Sequence, residues 1–491
     1  MKTPGESIKD YVNGGNSAIS GHTLRSSASQ CSAALATNLI KFTFGSFFGI
    51  TTILVAELHK ENAEIEISLG ELTWFGSLCF MVPVGSILMG LIAQYLGPRR
   101  CLLLTTVMFI TSCGIFYCAN NSTMLLSGQA IAGLAAPATI GPGTTYIVET
   151  AQPHLRSALV ASTNLSVIVG AFLTILYSNW LHWRTIILID LVTPTLGFFA
   201  MFMIPESPHW LASKGKLDEA EKALSWLRGW TTADNVSEEF NSLKETYKMP
   251  DENSSSRPRD SYRTALKPYV HRTFYRPLAT VGCMFVLHSC TGFSAIITYC
   301  MVIFRIIDAP IDSHLAASLF DVMRITGAIL CILSVHRTGK RKLTFVSLIG
   351  AGLLYFTIAG LLFLKTQSSY ADYAYTINWS ATVLVIFSTF LTSAGVDKAI
   401  FMYNAELFPT KFRNVGTGIG LFIHAIGGAT ISKTYLYLEE AVSLSGTFVI
   451  FGIFCFVSCV TFYFLLPETE GKTLQEIEDH YNKTTTKDTS L

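Results

Sequence analysis

"SAGVDKAIFMYNAELFPTKFR" (393–413) sets two charges, Asp397 and Lys398, inside an apolar run and ends on the spaced trio Tyr403, Glu406 and Arg413. The same trio occurs earlier, in "YIVETAQPHLR" (146–156), as Tyr146, Glu149 and Arg156. Two more landmarks repeat in the same order: "LGPRR" (96–100) with "TGKRK" (338–342), and "PESP" (205–208) with "PETE" (467–470). The offsets are 257, 242 and 262 residues, a spread that loop lengths absorb. One such match is weak. Three in register define two halves of like orientation, an arrangement that puts a substrate site between the halves near the bilayer midplane.

The bilayer itself follows from composition. Of 491 residues, 50% are hydrophobic and 14% charged, whereas a soluble domain carries about 25% charged residues. A crossing needs about 20 mostly apolar residues. Twelve runs meet that length, near 33–56, 72–95, 101–118, 124–146, 158–180, 185–204, 277–301, 315–335, 343–364, 379–403, 415–437 and 447–466. The expected fold is an all-α membrane protein of two six-helix parallel repeats. Its parts are a tail (1–32), a bundle (33–204), a linker with short helices (205–276), a second bundle (277–466) and a second tail (467–491). Within the linker, Leu217, Ala220, Leu224 and Leu227 recur at helical spacing. "TLQEIEDHY" (473–481) reads as a short helix too.

Charge fixes the expected orientation, because basic loops stay cytosolic. Arg99, Arg100, Arg156, Arg337, Lys340, Arg341, Lys342, Lys411 and Arg413 fall in loops of one parity, together with the linker. Glu57, Glu61, Glu64, Glu66, Glu439 and Glu440 fall in the other. Both termini are thus expected in the cytosol, as the polar first thirty residues, which lack a basic lead into an apolar core, also suggest. Asn120 and Asn121 each open an N-x-S/T sequon on the outer side and are the candidate glycosylation sites. A net charge of +1 speaks against nucleic acid. The eleven cysteines form no CxxC pair and read as buried free thiols. No Ser/His/Asp order, metal-ligand spacing or phosphate loop stands out, so a carrier without cofactor or metal is expected rather than an enzyme.

The repeated loops can form ion-pair clusters: Arg99, Arg100, Glu149 and Arg156 in one half, Lys340, Arg341, Glu406 and Arg413 in the other. Such clusters would tie helix ends in one conformation and release them in another; solvated charges that only orient the helices are the alternative.

At these segments the chain resembles the sugar porter family of the major facilitator superfamily. "PESPHWL" (205–211), "ETAQPHLR" (149–156), "AELFP" (405–409) and "PETEGKTLQEIE" (467–478) correspond to its marker segments. Within it, "PHLRSALVASTNLSVIVGAFL", "LHWRT" and "ALSWLRGW" are most similar to the insect facilitated trehalose transporters. The resemblance implies alternating access, by uniport or proton symport, with a sugar held by amides and hydroxyls in a plasma-membrane protein acting as a monomer. It also places the family's binding positions on this chain, where most differ. The span-five amide falls on Asn164, and the span-seven motif on His288, Ser289 and Ser294. The span-eight and span-eleven amides fall on Arg324 and His424, and the span-ten Pro motif on Asp397 to Phe401. A carrier of another polar or charged solute, or a sensor without turnover, remains an alternative on the same scaffold. Adjacent residues on a regular helix point about 100° apart, so Asp397 is expected to pair with Arg324; neutralisation of Lys398 by Asp397 in a turn locally unwound at Gly395 is the alternative. Asp321, one turn before Arg324, offers an internal partner instead. Lys41 is expected to snorkel from a position near the cytosolic end.

Overall fold

A computed structural model describes residues 24–60, 62–80, 82–247, 272–367, 372–408 and 413–466. Among these, the chain is helical apart from its connections, with no strand, and the helices group into twelve spans. The first half contains span 1 (Leu24–Leu58), span 2 (Leu69–Leu78 and Val82–Leu96), span 3 (Pro98–Tyr117), span 4 (Ser122–Thr150), span 5 (Pro153–Tyr177) and span 6 (Trp183–Asp190 and Val192–Met203). The second contains span 7 (Arg272–Cys290, Phe293–Thr298 and Cys300–Ile306), span 8 (Ser313–Thr338), span 9 (Lys340–Lys365) and span 10 (Ala374–Ala394 and Val396–Glu406). Spans 11 and 12 share the run Arg413–Leu465, divided where Ser443 takes φ 62°.

Local chemistry starts these helices where the sequence permits. Pro98 and Pro153 stand in the first turn, where a missing N–H is harmless. Ser68 and Glu71 close a capping box at the head of span 2, and Asn121 caps span 4 through the Met124 N–H. Two spans are broken at glycine. In span 7, Gly292 sits at φ 79°, a left-handed conformation that glycine adopts without strain. In span 10, Gly395 turns the backbone (φ −140°, ψ −93°), and the freed Val396 N–H is taken by the Ser347 hydroxyl at 2.8 Å. Such interruptions persist at membrane depth only where the loosened backbone is buried in protein or faces a cavity.

Close glycine contacts hold each half together. A Cβ on Gly45 would lie 1.9 Å from the Val167 carbonyl, and one on Gly170 would lie 2.2 Å from the Phe42 carbonyl, so spans 1 and 5 meet backbone to backbone. Gly427 holds the corresponding place in the second half, where a Cβ would lie 2.4 Å from the Ser289 hydroxyl of span 7. Gly170 and Gly427 each stand fourteen residues past the repeated arginines Arg156 and Arg413, which carries the internal repeat into the packing.

The linker forms the helices Pro208–Ser213, Leu217–Leu227 and Ser237–Thr246, packed through Leu211, Ala220, Ala223 and Leu243. It is tied to the first half: Ser29 donates to the Leu227 carbonyl at 2.8 Å and Trp210 Nε1 to the Gln94 carbonyl at 3.2 Å. The expected helix at 473–481 lies outside the described residues.

The bundle has a basic end, with Arg99, Arg100, Lys340 and Arg341, and an acidic end, with Glu57, Glu64 and Glu71. Every described hydrogen bond and ion pair between the halves lies toward the acidic end. There Arg305 reaches Glu57, His314 reaches Ser178, Asn179 reaches Ser318, and Lys433 reaches Gly70 and Thr73. Thr52 and Ile297 add a longer contact at 3.4 Å.

Candidate functional site

Next to the break in span 7 stands His288, buried, with both ring nitrogens lacking a partner among the described residues. The ring centroid of His424 from span 11 is 5.8 Å away, and its Nδ1 is also unpartnered. Aromatic rings enclose the pair. Phe285 and Phe401 lie 5.0 and 5.1 Å from His424, Phe293 lies 5.5 Å from His288, and Phe285 and Phe401 are 5.5 Å apart. Three helices thus bring His288, His424 and Phe401 together. Phe285 and Phe293 complete the cage and were not foreseen, because a phenylalanine in an apolar span carries no signal of its own.

Buried polar groups without hydrogen bonds cost about 1–3 kcal/mol each. Three unpartnered imidazole nitrogens stand in this one cage among the described residues.

The charges resolve differently from expectation. Asp397 pairs with Lys398 at 2.7 Å, not with Arg324. The assumption of a regular helix fails here: the turn at Gly395 places both residues at the start of Val396–Glu406, where the long lysine stem folds back on its neighbour. A carboxylate in that first turn is also favoured by the helix dipole. Arg324 pairs with Asp321 at 2.9 Å on its own helix, leaving Arg324 Nε and Asp321 Oδ2 unpartnered among the described residues. Asp397 and Asp321 are each neutralised on the element that carries them. Asp397 still lies within electrostatic reach of both imidazoles.

The remaining candidates separate. Asn164 is exposed on span 5. Ser289 donates to the Phe285 carbonyl at 2.9 Å, and its side chain is packed against Gly427. Ser294 is buried near Gly428. Lys41 does not snorkel: it is 3% exposed, and its Nζ donates to Thr144 at 3.0 Å and Thr163 at 2.9 Å. Span 1 begins at Leu24, earlier than expected, so Lys41 stands well inside the bundle.

At the basic end the two repeated clusters have diverged. Lys340 pairs with both oxygens of Glu406, at 2.8 and 2.9 Å, within the second half, and Arg341 donates to the Tyr463 carbonyl at 2.7 Å. Glu149 instead accepts from the Ser207 hydroxyl and pairs with no arginine among the described residues. Arg99 donates through its side chain to the Met201 and Phe202 carbonyls, and through its backbone to Glu206. Arg100 also gives its backbone N–H to Glu206, and Arg156 contacts the Ala151 carbonyl at 3.4 Å. Glu206 of the "PESP" turn thus takes the backbone donors of both Arg99 and Arg100. Burial pushes the Glu206 carboxyl above the usual carboxylate range, against the lowering effect of the three backbone donors and Arg99. The side chain of Arg413 lies outside the described residues.

A cavity of about 380 Å³ opens beside this cluster, lined by Gln94, Glu149, His209, Trp210 and Tyr247, and does not include the histidine cage. Burial holds His209 below the usual imidazole range. At the other end, Asn120 and Asn121 are both exposed, and the Asn121 amide oxygen accepts the Met124 N–H at 2.9 Å.

Two six-span halves joined at one end, with broken helices around a histidine cage in the second half, define a membrane carrier of the major facilitator fold. The family model for "Sugar (and other) transporter" matches residues 20–481, and the chain belongs to that family. It is 26% identical to the facilitated trehalose transporter Tret1 of Culex quinquefasciatus, over 92% of this chain and 85% of that protein. It is 27% identical to trehalose transporter 1 of Drosophila melanogaster over 91% of this chain, but spans only 51% of that longer relative. Among solved structures, the inward open conformation of the xylose transporter XylE from E. coli superposes with a TM-score of 0.72 at 17% identity, covering 92% of this chain and 99% of that one. A partially occluded inward open form of the same transporter gives 0.69 at 16% identity, covering 91% of this chain and 100% of that one.

Proposed function

We propose that this protein carries a sugar, trehalose or a hexose, across the plasma membrane by facilitative alternating access. The cage of His288 and His424 with Phe285, Phe293 and Phe401 is the observation that carries this reading. Imidazole nitrogens can donate to or accept from sugar hydroxyls, and aromatic faces suit the C–H face of a pyranose. Asn164, Ser289 and Ser294 are proposed as further contacts, with Asp397 and Arg324 bordering the site rather than binding a charge. Because Asp397 and Arg324 are each neutralised by a neighbour on the same helix, a neutral solute suits the second half better than a charged one. With the basic end in the cytosol, the structure corresponds to an inward-facing state. Both termini and the linker then lie in the cytosol, Asn120 faces outward as a glycosylation site, and the monomer is the working unit.

A charged solute has one observation in its favour, the buried ammonium of Lys41, which has only hydroxyl partners. Uptake of labelled trehalose, glucose and organic anions by expressing cells, compared with vector, separates the readings. Sugar uptake alone supports the first. Anion uptake alone overturns it in favour of the second, and no uptake in a well-expressed, surface-labelled protein points to a sensor.

A further inference from the structure

The ion pairs anticipated for the basic end have a counterpart at the acidic end, and only there do charges bridge the two halves among the described residues. Glu57, at the end of span 1, accepts from Arg305 Nη2 of span 7 at 3.3 Å, and Arg305 Nη1 donates to the Ala56 carbonyl next to it. His314 Nε2 of span 8 lies 3.7 Å from the same carboxylate, while its Nδ1 meets the Ser178 hydroxyl of span 5 at 2.8 Å. Lys60 of the first half shares Glu57 as well. These are not free surface charges: the side chains of Glu57, Arg305 and His314 are 22%, 27% and 17% exposed.

The segment bearing Arg305 is fixed to its own half. Lys365 of span 9 donates to the Ile307 carbonyl at 3.1 Å and to Asp308 at 2.7 Å. A pull on Arg305 is therefore transmitted to the second bundle rather than lost in a loose loop. On another part of the seam, Lys433 of span 11 donates to the Gly70 carbonyl at 2.9 Å and to Thr73 at 2.7 Å, with its ammonium 4.4 Å from the Trp74 ring. Partly buried bridges are screened less by salt than surface pairs are.

We infer that the Glu57–Arg305 ion pair, with the His314 ring beside it, is an interlock that holds the acidic end closed, and that Lys433 secures the same seam through span 2. The interlock sets the balance between the two access states whatever the substrate is. Transport in either direction requires these bridges to break and re-form once per cycle.

The experiment needs no substrate. Asn179 and Ser318 face each other across the seam at 2.9 Å, so Asn179→Cys with Ser318→Cys reports closure by oxidative cross-linking of the purified full chain. The linked peptide is quantified by mass spectrometry. The pair cross-links readily in an otherwise unaltered chain. Glu57→Arg or Arg305→Glu slows cross-linking about tenfold, equivalent to ~1.4 kcal/mol, and the double swap recovers most of the rate. Lys433→Met slows it as well. Where Glu57→Arg does not fold, Arg305→Gln carries the same expectation with less disturbance. Folded single variants that cross-link at the unaltered rate, or a folded double swap without recovery, overturn the interlock. Absent sugar uptake with these cross-linking rates intact overturns the carrier reading and leaves the interlock standing.

Discussion

Arg324 Nη2 lies 2.9 Å from Asp321 Oδ1, one turn back on span 8, and the pair is closed within a single helix. Neither charge depends on span 10, although Asp397 is near enough to interact through its field. Buried pairs of this kind are worth little relative to an apolar replacement, but removal of one member strands the other.

That asymmetry gives a stability prediction. Arg324→Met leaves Asp321, which is 2% exposed, without its cation and destabilises the fold by about 3–5 kcal/mol. Asp321→Asn combined with Arg324→Met restores most of the loss. A charge swap between Arg324 and Asp397 restores nothing, because each has its partner elsewhere. Thermal unfolding of the detergent-purified variants reads all three, and a milder single variant than double variant would refute the pairing.

The helix contacts give a second. A Cβ on Gly170 would meet the Phe42 carbonyl at 2.2 Å, whereas one on Gly141 would meet nothing within 4 Å. Overpacking of a close contact typically costs about 1–3 kcal/mol, so Gly170→Ala lowers the unfolding midpoint. Gly141→Ala leaves it unchanged or raises it, since alanine favours a helix over glycine by up to about 1 kcal/mol. Equal midpoints for the two would show that spans 1 and 5 do not meet backbone to backbone.

The architecture was legible in the sequence because it depends on signals with long reach: apolar length, the duplicated Tyr–Glu–Arg spacing and the side on which arginines collect. The cage was half legible. His288 and His424 stand out because imidazoles are rare in spans, but Phe285 and Phe293 look like any lipid-facing residue until the helices are placed. The pairing of Asp397 was misjudged because a helical wheel assumes an unbroken helix, and Gly395 breaks it. Lys41 was misplaced for a related reason, the unforeseen start of span 1 at Leu24. Interactions between the halves, such as Arg305 with Glu57, left no trace in either local pattern.

Glu206 gives a pH prediction with a definite sign. Burial raises its carboxyl above the ordinary value, so the folded state favours the protonated form. The resulting stabilisation is present in acid and is lost as pH rises through the raised value. Glu206→Gln keeps an oxygen for the Arg99 and Ser207 N–H groups, now at 2.9 and 3.1 Å from Oε1, but cannot ionise. The variant is therefore at least as stable as the parent at pH 8, and its advantage shrinks as pH falls toward 5. An advantage that grows on acidification would mean that the backbone donors, not burial, set the titration.

The histidine cage gives the prediction that separates function from structure. If His288 and His424 served only to pack spans 7 and 11 together, their replacement by phenylalanine would leave uptake close to that of the parent wherever the fold survives. The unpartnered nitrogens argue for the opposite result. Replacing an unsatisfied buried polar group by an apolar one of like shape is neutral or stabilising. Phenylalanine also continues the ring contacts that Phe285, Phe293 and Phe401 already make. His288→Phe and His424→Phe should thus unfold at the parental temperature or above it. A neutral hydrogen bond contributes about 0.5–1.5 kcal/mol, so each variant loses roughly three- to tenfold in apparent affinity for labelled trehalose or glucose, and the double variant more. Stability retained while sugar uptake falls is the signature of groups kept for a ligand. Stability lost while uptake per folded molecule is unchanged would remove the cage from the transport path.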